Sequence, residues 1–191
     1  MPENITQIIR GCIKKDQRCQ RIIYEQFRGY ALKIVFRYIY RYENATDAVN
    51  DGFVKLFNNF EKFTIGIDDE NEAKLMGWLK KIMINTAIDQ LRSSNMLPEI
   101  GGIPDEVWQI TDKNNNADQL LLYNELIAVI KELPPTYRVV FNLYIVDGYT
   151  HSEIADILNT TIGTSKSSLS RARVLLQKSI KKMEDAQLCR I

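Results

Sequence analysis

The chain has 191 residues, 45% of them hydrophobic and 26% charged, which excludes wholesale disorder and suits one large domain or two small ones. It has no bilayer-length apolar run, no signal-peptide pattern at its start and no metal-ligand spacing among Cys12, Cys19 and Cys189. We therefore expect a cytoplasmic protein with free thiols and no direct membrane insertion.

The net charge of +1 is the sum of segments with opposite charge. Residues 1–42 hold nine Lys or Arg and three acids, whereas residues 43–77 hold eight acids and three Lys. Such alternation indicates separate faces for separate partners.

Apolar spacing predicts amphipathic helices throughout the N-terminal half. One long helix is expected from residue 16 to about residue 42, because its apolar residues recur at spacings of three and four. A second helix is expected after Asn44, and a third from about residue 72 to residue 93. No useful length of sequence alternates with the period of two that half-buried strands require.

Residues 94–118 interrupt the helical pattern. Two prolines and two glycines lie between residues 98 and 104, and a polar stretch with three consecutive Asn follows, which is typical of a linker. Five acids against one Lys make this segment unsuited to gripping DNA. We predict an all-α protein with two small helical domains, 1–97 and 119–191, joined by a flexible linker over 98–118.

The C-terminal domain begins with two further predicted helices and ends in a helix-turn-helix. The first two, near 119–132 and up to about 146, are separated by two prolines. Thr150 and Glu153 then fit a capping box at the start of a short helix. Asn159 suits a left-handed turn, and Thr161 can cap the next helix, which lies in a stretch with six basic residues and no acid, 157–183. Such a helix can lie in the DNA major groove; an ordinary helical hairpin with a basic surface is the alternative.

Several segments of the C-terminal half carry the pattern of a known family. They are Leu133-Pro134-Pro135-Thr136-Tyr137-Arg138, Asp147-Gly148-Tyr149-Thr150, Glu153-Ile154-Ala155, Gly163-Thr164-Ser165-Lys166-Ser167 and Leu169-Ser170-Arg171-Ala172-Arg173. They resemble the fourth region of the extracytoplasmic-function group of bacterial sigma factors, within the sigma-70 family. Ser165 and Ser168 depart from that pattern, because the family's recognition helix commonly has an apolar and a basic residue there.

Two segments of the N-terminal half extend the resemblance along nearly the whole chain. Residues 45–57 resemble the family's polymerase-binding helix. Trp78-Leu79, Ile82, Asn85, Asp89 and Leu91-Arg92 resemble the helix that melts and reads the minus-ten promoter element. By the same resemblance, the polar loop 64–71 and the helix start would capture a flipped base. Trp78 itself is expected in the core, because it shares a helix face with Leu75 and Ile82.

The resemblance implies a sigma factor that binds core RNA polymerase and directs initiation at promoters, restrained by an anti-sigma factor. The residues expected to contact core polymerase are Asp47, Asn50, Asp51 and Lys55. Those expected to contact minus-ten DNA are Lys80, Lys81, Asn85 and Arg92. Those expected to contact the minus-thirty-five duplex are Ser165, Lys166, Ser167, Ser170, Arg171 and Arg173.

Three other functions compete with this interpretation. An enzyme is disfavoured, because the chain has one His, no phosphate-binding glycine spacing and no carboxylate cluster; we expect no catalysis, cofactor or metal. A helix-turn-helix activator with a sensing or dimerising N-terminal half would bind duplex DNA alone. A decoy would dock on polymerase without promoter activity. The segments 47–57 and 78–92 favour the sigma factor over both.

Overall fold

The computed structural model describes residues 5–67, 70–93 and 126–188, which belong to two compact helical units. The described residues before position 94 form the first unit and those after position 125 the second. They contain no strand, and none of their helices is long and apolar enough to cross a bilayer. The all-α prediction is therefore confirmed. The predicted linker, 98–118, and both of its boundaries lie outside the described residues.

Four α-helices build the described part of the first unit. They are α1 (Ile5–Ile13), α2 (Gln17–Val35), α3 (Tyr42–Asn58) and α4 (Asn71–Ser93), with a 3₁₀ turn at Phe60–Lys62. The Asp16 carboxylate caps α2 and accepts hydrogen bonds from the backbone N–H groups of Arg18, at 2.8 Å, and Cys19, at 3.4 Å. The apolar faces of the helices meet in a core that includes the fully buried Phe53 and Leu79.

The long helix predicted from residue 16 to residue 42 is wrong, because α2 ends at Val35 and α3 begins at Tyr42. Between them the backbone N–H groups of Tyr38 and Ile39 both donate to the Val35 carbonyl at 2.9 Å, which turns the chain. Tyr38, Ile39 and Tyr40 are nevertheless buried. Tyr38 and Ile39 continue the apolar spacing of α2 because they are buried, and over so few residues that spacing does not distinguish a helix from a buried connection.

Gly52 marks a close approach of α3 to α4. It is buried, and a Cβ atom at this position would lie 2.5 Å from the Met83 sulfur. A glycine inside a helix is less favourable than alanine by about 1 kcal/mol. Tight packing against Met83 gives the physical reason for a residue without a side chain here.

Two of the three cysteines, Cys12 and Cys19, lie within the described residues, where neither takes part in a disulfide. Burial raises the pKa of the Cys12 thiol to about 12, and the neighbouring Cys19 and Asp16 add to the shift. Cys12 is therefore a protonated, unreactive thiol at neutral pH. Cys189 lies outside the described residues.

The described part of the second unit is also helical. It contains a helical segment at 126–131, α5 (Pro135–Phe141), a π-helical turn (Asn142–Val146), α6 (His151–Leu158) and α7 (Ile162–Leu188). Its core includes one residue from each of these five elements, namely Ile130, Val140, Leu143, Ile154 and Leu169. The pair α6 and α7 is the predicted helix-turn-helix.

The ends of α6 follow the predicted capping chemistry. The Thr150 hydroxyl accepts from the Glu153 backbone N–H at 3.3 Å, and the Glu153 carboxylate accepts from the Thr150 backbone N–H at 2.8 Å. Asn159 adopts the left-handed conformation, with φ 48° and ψ 51°. The Thr161 hydroxyl accepts from the Thr164 backbone N–H at 3.0 Å and caps α7. The capping box, the left-handed turn and the second cap are all confirmed.

We expect Thr150→Ala to lower the free energy of unfolding of the second unit by about 1 kcal/mol, since it removes an N-cap hydroxyl. Amide hydrogen exchange of α6 in the full chain measures this loss locally. Ser152→Ala is the matched control, because it removes an exposed hydroxyl from the same helical turn. Equal losses in both variants would contradict the role of the capping box.

Candidate functional sites

The outer side of α3 presents three of the predicted polar residues. Asp47, Asn50 and Asp51 are exposed, and their spacings of three and four place them on one helix face. The Tyr24 hydroxyl donates to the Asn50 side-chain oxygen at 3.0 Å, which fixes this face against α2. We call these three residues the α3 patch; it offers two carboxylates and an amide on a rigid helix.

Lys55 lies one turn beyond Asp51 but reaches towards α4. Its Nζ donates to the Thr86 hydroxyl at 3.1 Å and lies 3.5 Å from an Asp89 carboxylate oxygen. The structure thus separates the Lys55 ammonium from the α3 patch, although the sequence grouped the four residues. These contacts hold the ammonium at the rim of a pocket.

That pocket, of about 400 Å³, lies between α3, α4 and the segment that follows α3. Its lining residues are Lys55, Asn59, Lys62, Phe63, Thr64, Trp78, Ile82, Asn85 and Thr86. The rings of Phe63 and Trp78 lie 5.6 Å apart, centroid to centroid, and form an aromatic wall. Lys55 and Lys62 add positive charge. Aromatic surface combined with cations is the chemistry that holds an unstacked nucleobase and its phosphates. We call this site the α3–α4 pocket.

Trp78 is not a core residue, contrary to the prediction. It is half-buried, packs edge-on against Phe60 at 5.7 Å and lines the α3–α4 pocket together with Ile82. Leu75, one turn earlier, is fully buried. The apolar stripe of α4 therefore leaves the core and continues along the pocket, a change that helical spacing does not reveal.

The residues predicted to contact minus-ten DNA do not all share one face of α4. Lys81, Asn85 and Arg92 lie on the same side, because four and seven residues separate them in turn. Lys80 is half-buried and lies about 100° round the helix from Lys81. Arg92 lies 3.8 Å from the Asp89 carboxylate. The structure brings Lys81 and Arg92 to the side that carries Asn85, and leaves Lys80 apart from them.

Asn71, the first residue of α4, anchors the loop that precedes this helix. Its side-chain amide is buried, donates to the Thr6 hydroxyl of α1 at 3.1 Å and to the Gly66 carbonyl at 3.4 Å, and accepts from the Gly66 N–H at 2.8 Å. From the sequence, Asn71 is expected only to end the polar loop 64–71. An amide immediately before Glu72, at a helix start, is the signal that could have identified it. Loop residues 68 and 69 lie outside the described residues.

The outer face of α7 is basic and polar. Its exposed residues include Lys166, Ser167, Ser170, Arg171 and Arg173. An Arg171 guanidinium nitrogen donates to the Tyr137 hydroxyl at 3.1 Å, which ties this side chain to α5. The face is positive and holds short hydroxyl side chains beside long cationic ones, a combination that suits a DNA groove and its phosphates.

Ser165 faces the interior of the second unit, so its predicted contact with DNA is wrong. It is 0% exposed, and its hydroxyl lies 2.9 Å from Nδ1 of His151. Ser168, the other departure from the family pattern, is buried as well, at 4% exposed. A hydroxyl with no exposed surface cannot reach a base edge, and only the resemblance to the family's recognition helix had implied this contact.

The comparisons with known proteins match both halves of the chain. The family model of sigma-70 region 2 matches residues 23–96, and that of sigma-70 region 4 matches residues 123–176. The ECF RNA polymerase sigma-E factor of Escherichia coli K12 is 24% identical over 94% of this chain and 97% of its own length. The RNA polymerase sigma-H factor of Pseudomonas aeruginosa PAO1 is 21% identical over 93% of this chain and 94% of its own length. The chain belongs to the extracytoplasmic-function group of the sigma-70 family.

A solved structure is similar in fold to this sigma factor. The sigma factor RpoE of Bartonella quintana, solved in complex with the anti-sigma factor NepR, has a TM-score of 0.54 and 20% identity, covering 84% of this chain and 96% of that one. The region 2 match spans α3, α4 and the pocket between them, and the region 4 match spans α5, α6 and the start of α7. As a family member, this sigma factor serves promoter-specific transcription initiation.

Proposed function

We propose that this sigma factor binds core RNA polymerase through the α3 patch, opens the minus-ten element at the α3–α4 pocket and binds the minus-thirty-five duplex with α7. The observation that carries the proposal is an aromatic pocket with lysines at its rim in one helical unit and an exposed basic recognition helix in the other. Domain 1–97 would hold the first two sites and domain 119–191 the third, with 98–118 as the linker.

The α3–α4 pocket would offset part of the cost of opening DNA. Extruding a base from a duplex costs a few kcal/mol, and stacking on an aromatic side chain returns about 1–3 kcal/mol per base. Phe63 and Trp78 supply that surface. Lys55 and Lys62 line the same pocket, where they would attract the phosphates on either side of the captured base. The exposed Lys81 and Asn85 on the same side of α4 would extend the contact along the strand.

The recognition helix would combine two kinds of contact. Contacts to phosphates position a protein on DNA, and contacts to base edges read the sequence. Residues near the N-terminus of a recognition helix usually reach the bases, a place held here by Lys166 and Ser167. Arg171 and Arg173, further along the exposed face, would hold phosphates. Because the linker joins two separately weak DNA contacts, each half alone should bind promoter DNA poorly.

The proposal includes two protein partners. Core RNA polymerase is the first. An anti-sigma factor is the second, since the similar Bartonella sigma factor was crystallised with one. We further propose that the chain acts in the cytoplasm as a regulator rather than an enzyme, without a cofactor or metal of its own.

The decisive experiment mixes the purified chain with bacterial core RNA polymerase and a pool of genomic fragments. Specific transcription starts that require the chain would support the proposal and identify both promoter elements. Association with core without any starts would favour a decoy. Binding to duplex DNA without binding to core would favour an ordinary helix-turn-helix activator.

We expect Arg171→Ala to weaken binding of the holoenzyme to a minus-thirty-five duplex about tenfold, because one exposed cation is lost from the DNA face. The plot of log affinity against log salt concentration should become less steep, by about 1 in slope. A titration at several salt concentrations measures both. Tyr137→Phe is the control, since it removes only the hydroxyl that Arg171 contacts and leaves the charge in place. Loss of core binding in Arg171→Ala would contradict the assignment.

A further inference from the structure

A single imidazole connects three elements around the start of the recognition helix. His151 is the first residue of α6, and its Nδ1 lies 2.9 Å from the hydroxyl of Ser165, in the first turn of α7. Its ring stacks on Tyr144 of the π-helical turn, with the centroids 4.4 Å apart and the planes 23° from parallel. Ser165 is fully buried, so this hydrogen bond lies beneath the recognition helix and faces away from any DNA.

The buried faces of α6 and α7 around this bond are rich in small side chains. α6 buries Ile154 and Ala155, and α7 buries Ser165, Ser168, Leu169 and Ala172, so four of these six side chains are small. Small side chains allow close helix packing, but their ridges and grooves are shallow and restrain rotation and sliding of one helix on the other only weakly. A hydrogen bond is directional in distance and angle, so it adds a restraint to the packing of Ile154 and Leu169 that small side chains do not supply.

We propose that the His151–Ser165 hydrogen bond, supported by the Tyr144 stack, fixes the orientation of α7 and thereby sets the sequence specificity of minus-thirty-five binding. The inference rests on the proposed function of α7. His151 and Ser165 are positioning residues in this account. The residues they position are Lys166 and Ser167, which follow Ser165 directly and are exposed. Either neutral tautomer of His151 satisfies the bond, because a serine hydroxyl both donates and accepts.

The effect should fall on specificity rather than on general affinity for DNA. Long Lys and Arg side chains reach phosphates from a range of helix positions. Hydrogen bonds to base edges require donor–acceptor distances near 3 Å and good alignment. A loosened α7 would therefore lose base contacts first and keep its attraction for the backbone.

The test compares the unmodified full chain with three variants, each assembled with core polymerase. His151→Phe keeps a stacking ring, Ser165→Ala removes the hydroxyl, and the third variant carries both substitutions. Affinity is measured for a duplex carrying the minus-thirty-five element and for a random duplex of equal length. We expect each single variant to bind the specific duplex about fivefold more weakly, as loss of a buried hydrogen bond predicts. The double variant should lose no more than the weaker-binding single variant, because both substitutions remove the same bond. Affinity for the random duplex and its salt dependence should not change.

Two results would overturn the inference: losses that multiply in the double variant, or equal losses on specific and random duplexes. If a single variant does not fold, Tyr144→Leu removes the stack alone and should show a smaller loss confined to the specific duplex; no loss would overturn the inference. Failure of the proposed function is distinguishable, because the unmodified holoenzyme would then not bind the minus-thirty-five duplex at all.

Discussion

Reversing both charges of the α3 patch, in the double variant Asp47→Lys, Asp51→Lys, is expected to weaken binding to core RNA polymerase at least 100-fold and to abolish promoter-dependent initiation. Both carboxylates are exposed on one face of α3, so the substitutions leave the core of the first unit intact. Placing like charges opposite one another across an interface costs several kcal/mol. Titration of the labelled sigma factor with core polymerase measures the loss.

The matched control for this variant is Glu61→Lys, which reverses an exposed acid in the 3₁₀ turn outside the α3 patch. Substitutions at such surface positions usually change stability by no more than about 0.5 kcal/mol, and thermal unfolding of both proteins checks this. Core binding should remain within twofold for the control. If the double variant binds core normally and Lys55→Ala does not, the polymerase surface lies on the pocket side of α3 instead.

The second large effect is expected for Trp78→Ala, which should slow opening of the minus-ten element roughly 10- to 100-fold. The substitution removes one side of the aromatic wall of the α3–α4 pocket, and stacking of a base on such a side chain contributes about 1–3 kcal/mol. Binding to core polymerase and to the minus-thirty-five duplex should not change. Permanganate reactivity of unpaired thymines measures opening directly.

Trp78 also contacts Phe60, so the same variant will lower the stability of the first unit. Met76→Ala separates the two effects, because it shortens a half-buried side chain of α4 that does not line the pocket. It should reduce thermal stability and leave promoter opening intact. If Met76→Ala slows opening as much as Trp78→Ala does, loss of stability explains both and the pocket has no special role.

The sequence predicted the helix ends that depend on only a few neighbouring residues. The capping box at Thr150 and the left-handed turn at Asn159 need only the backbone and side chains of one helix end, and the structure contains both. The end of α2 depends instead on distant packing. Tyr38 and Ile39 continue the apolar spacing of α2, yet both are buried in the non-helical connection between α2 and α3.

The candidate sites show a different limit of prediction from sequence. Helical spacing gives the side of the helix from which a side chain leaves the backbone, but not the position of the end of a long side chain. Lys55 begins near the α3 patch, but its four-carbon chain carries the ammonium to Thr86 on α4. The resemblance to the family's recognition helix implied that Ser165 contacts DNA. Its hydroxyl instead finds a partner in His151, fourteen residues away, so it can be buried without an unsatisfied hydrogen bond. Neither contact follows from a one-dimensional pattern.

The clamp made by Asn71 has a thermodynamic consequence. The Asn71 amide is hydrogen-bonded to the N–H and the carbonyl of Gly66 and to the Thr6 hydroxyl. This part of the loop is therefore ordered when the first unit folds, and the entropy cost of ordering it belongs to folding. Fixing the backbone of a single residue costs about 1–2 kcal/mol of conformational entropy, a cost that a loop ordered only on contact with DNA would subtract from its affinity. In the function that we propose, preorganisation of this kind would make capture of the minus-ten base less dependent on temperature than coupled folding would. The same contacts would link the proposed opening of the promoter to α1, a helix that contributes no residue to the lining of the α3–α4 pocket.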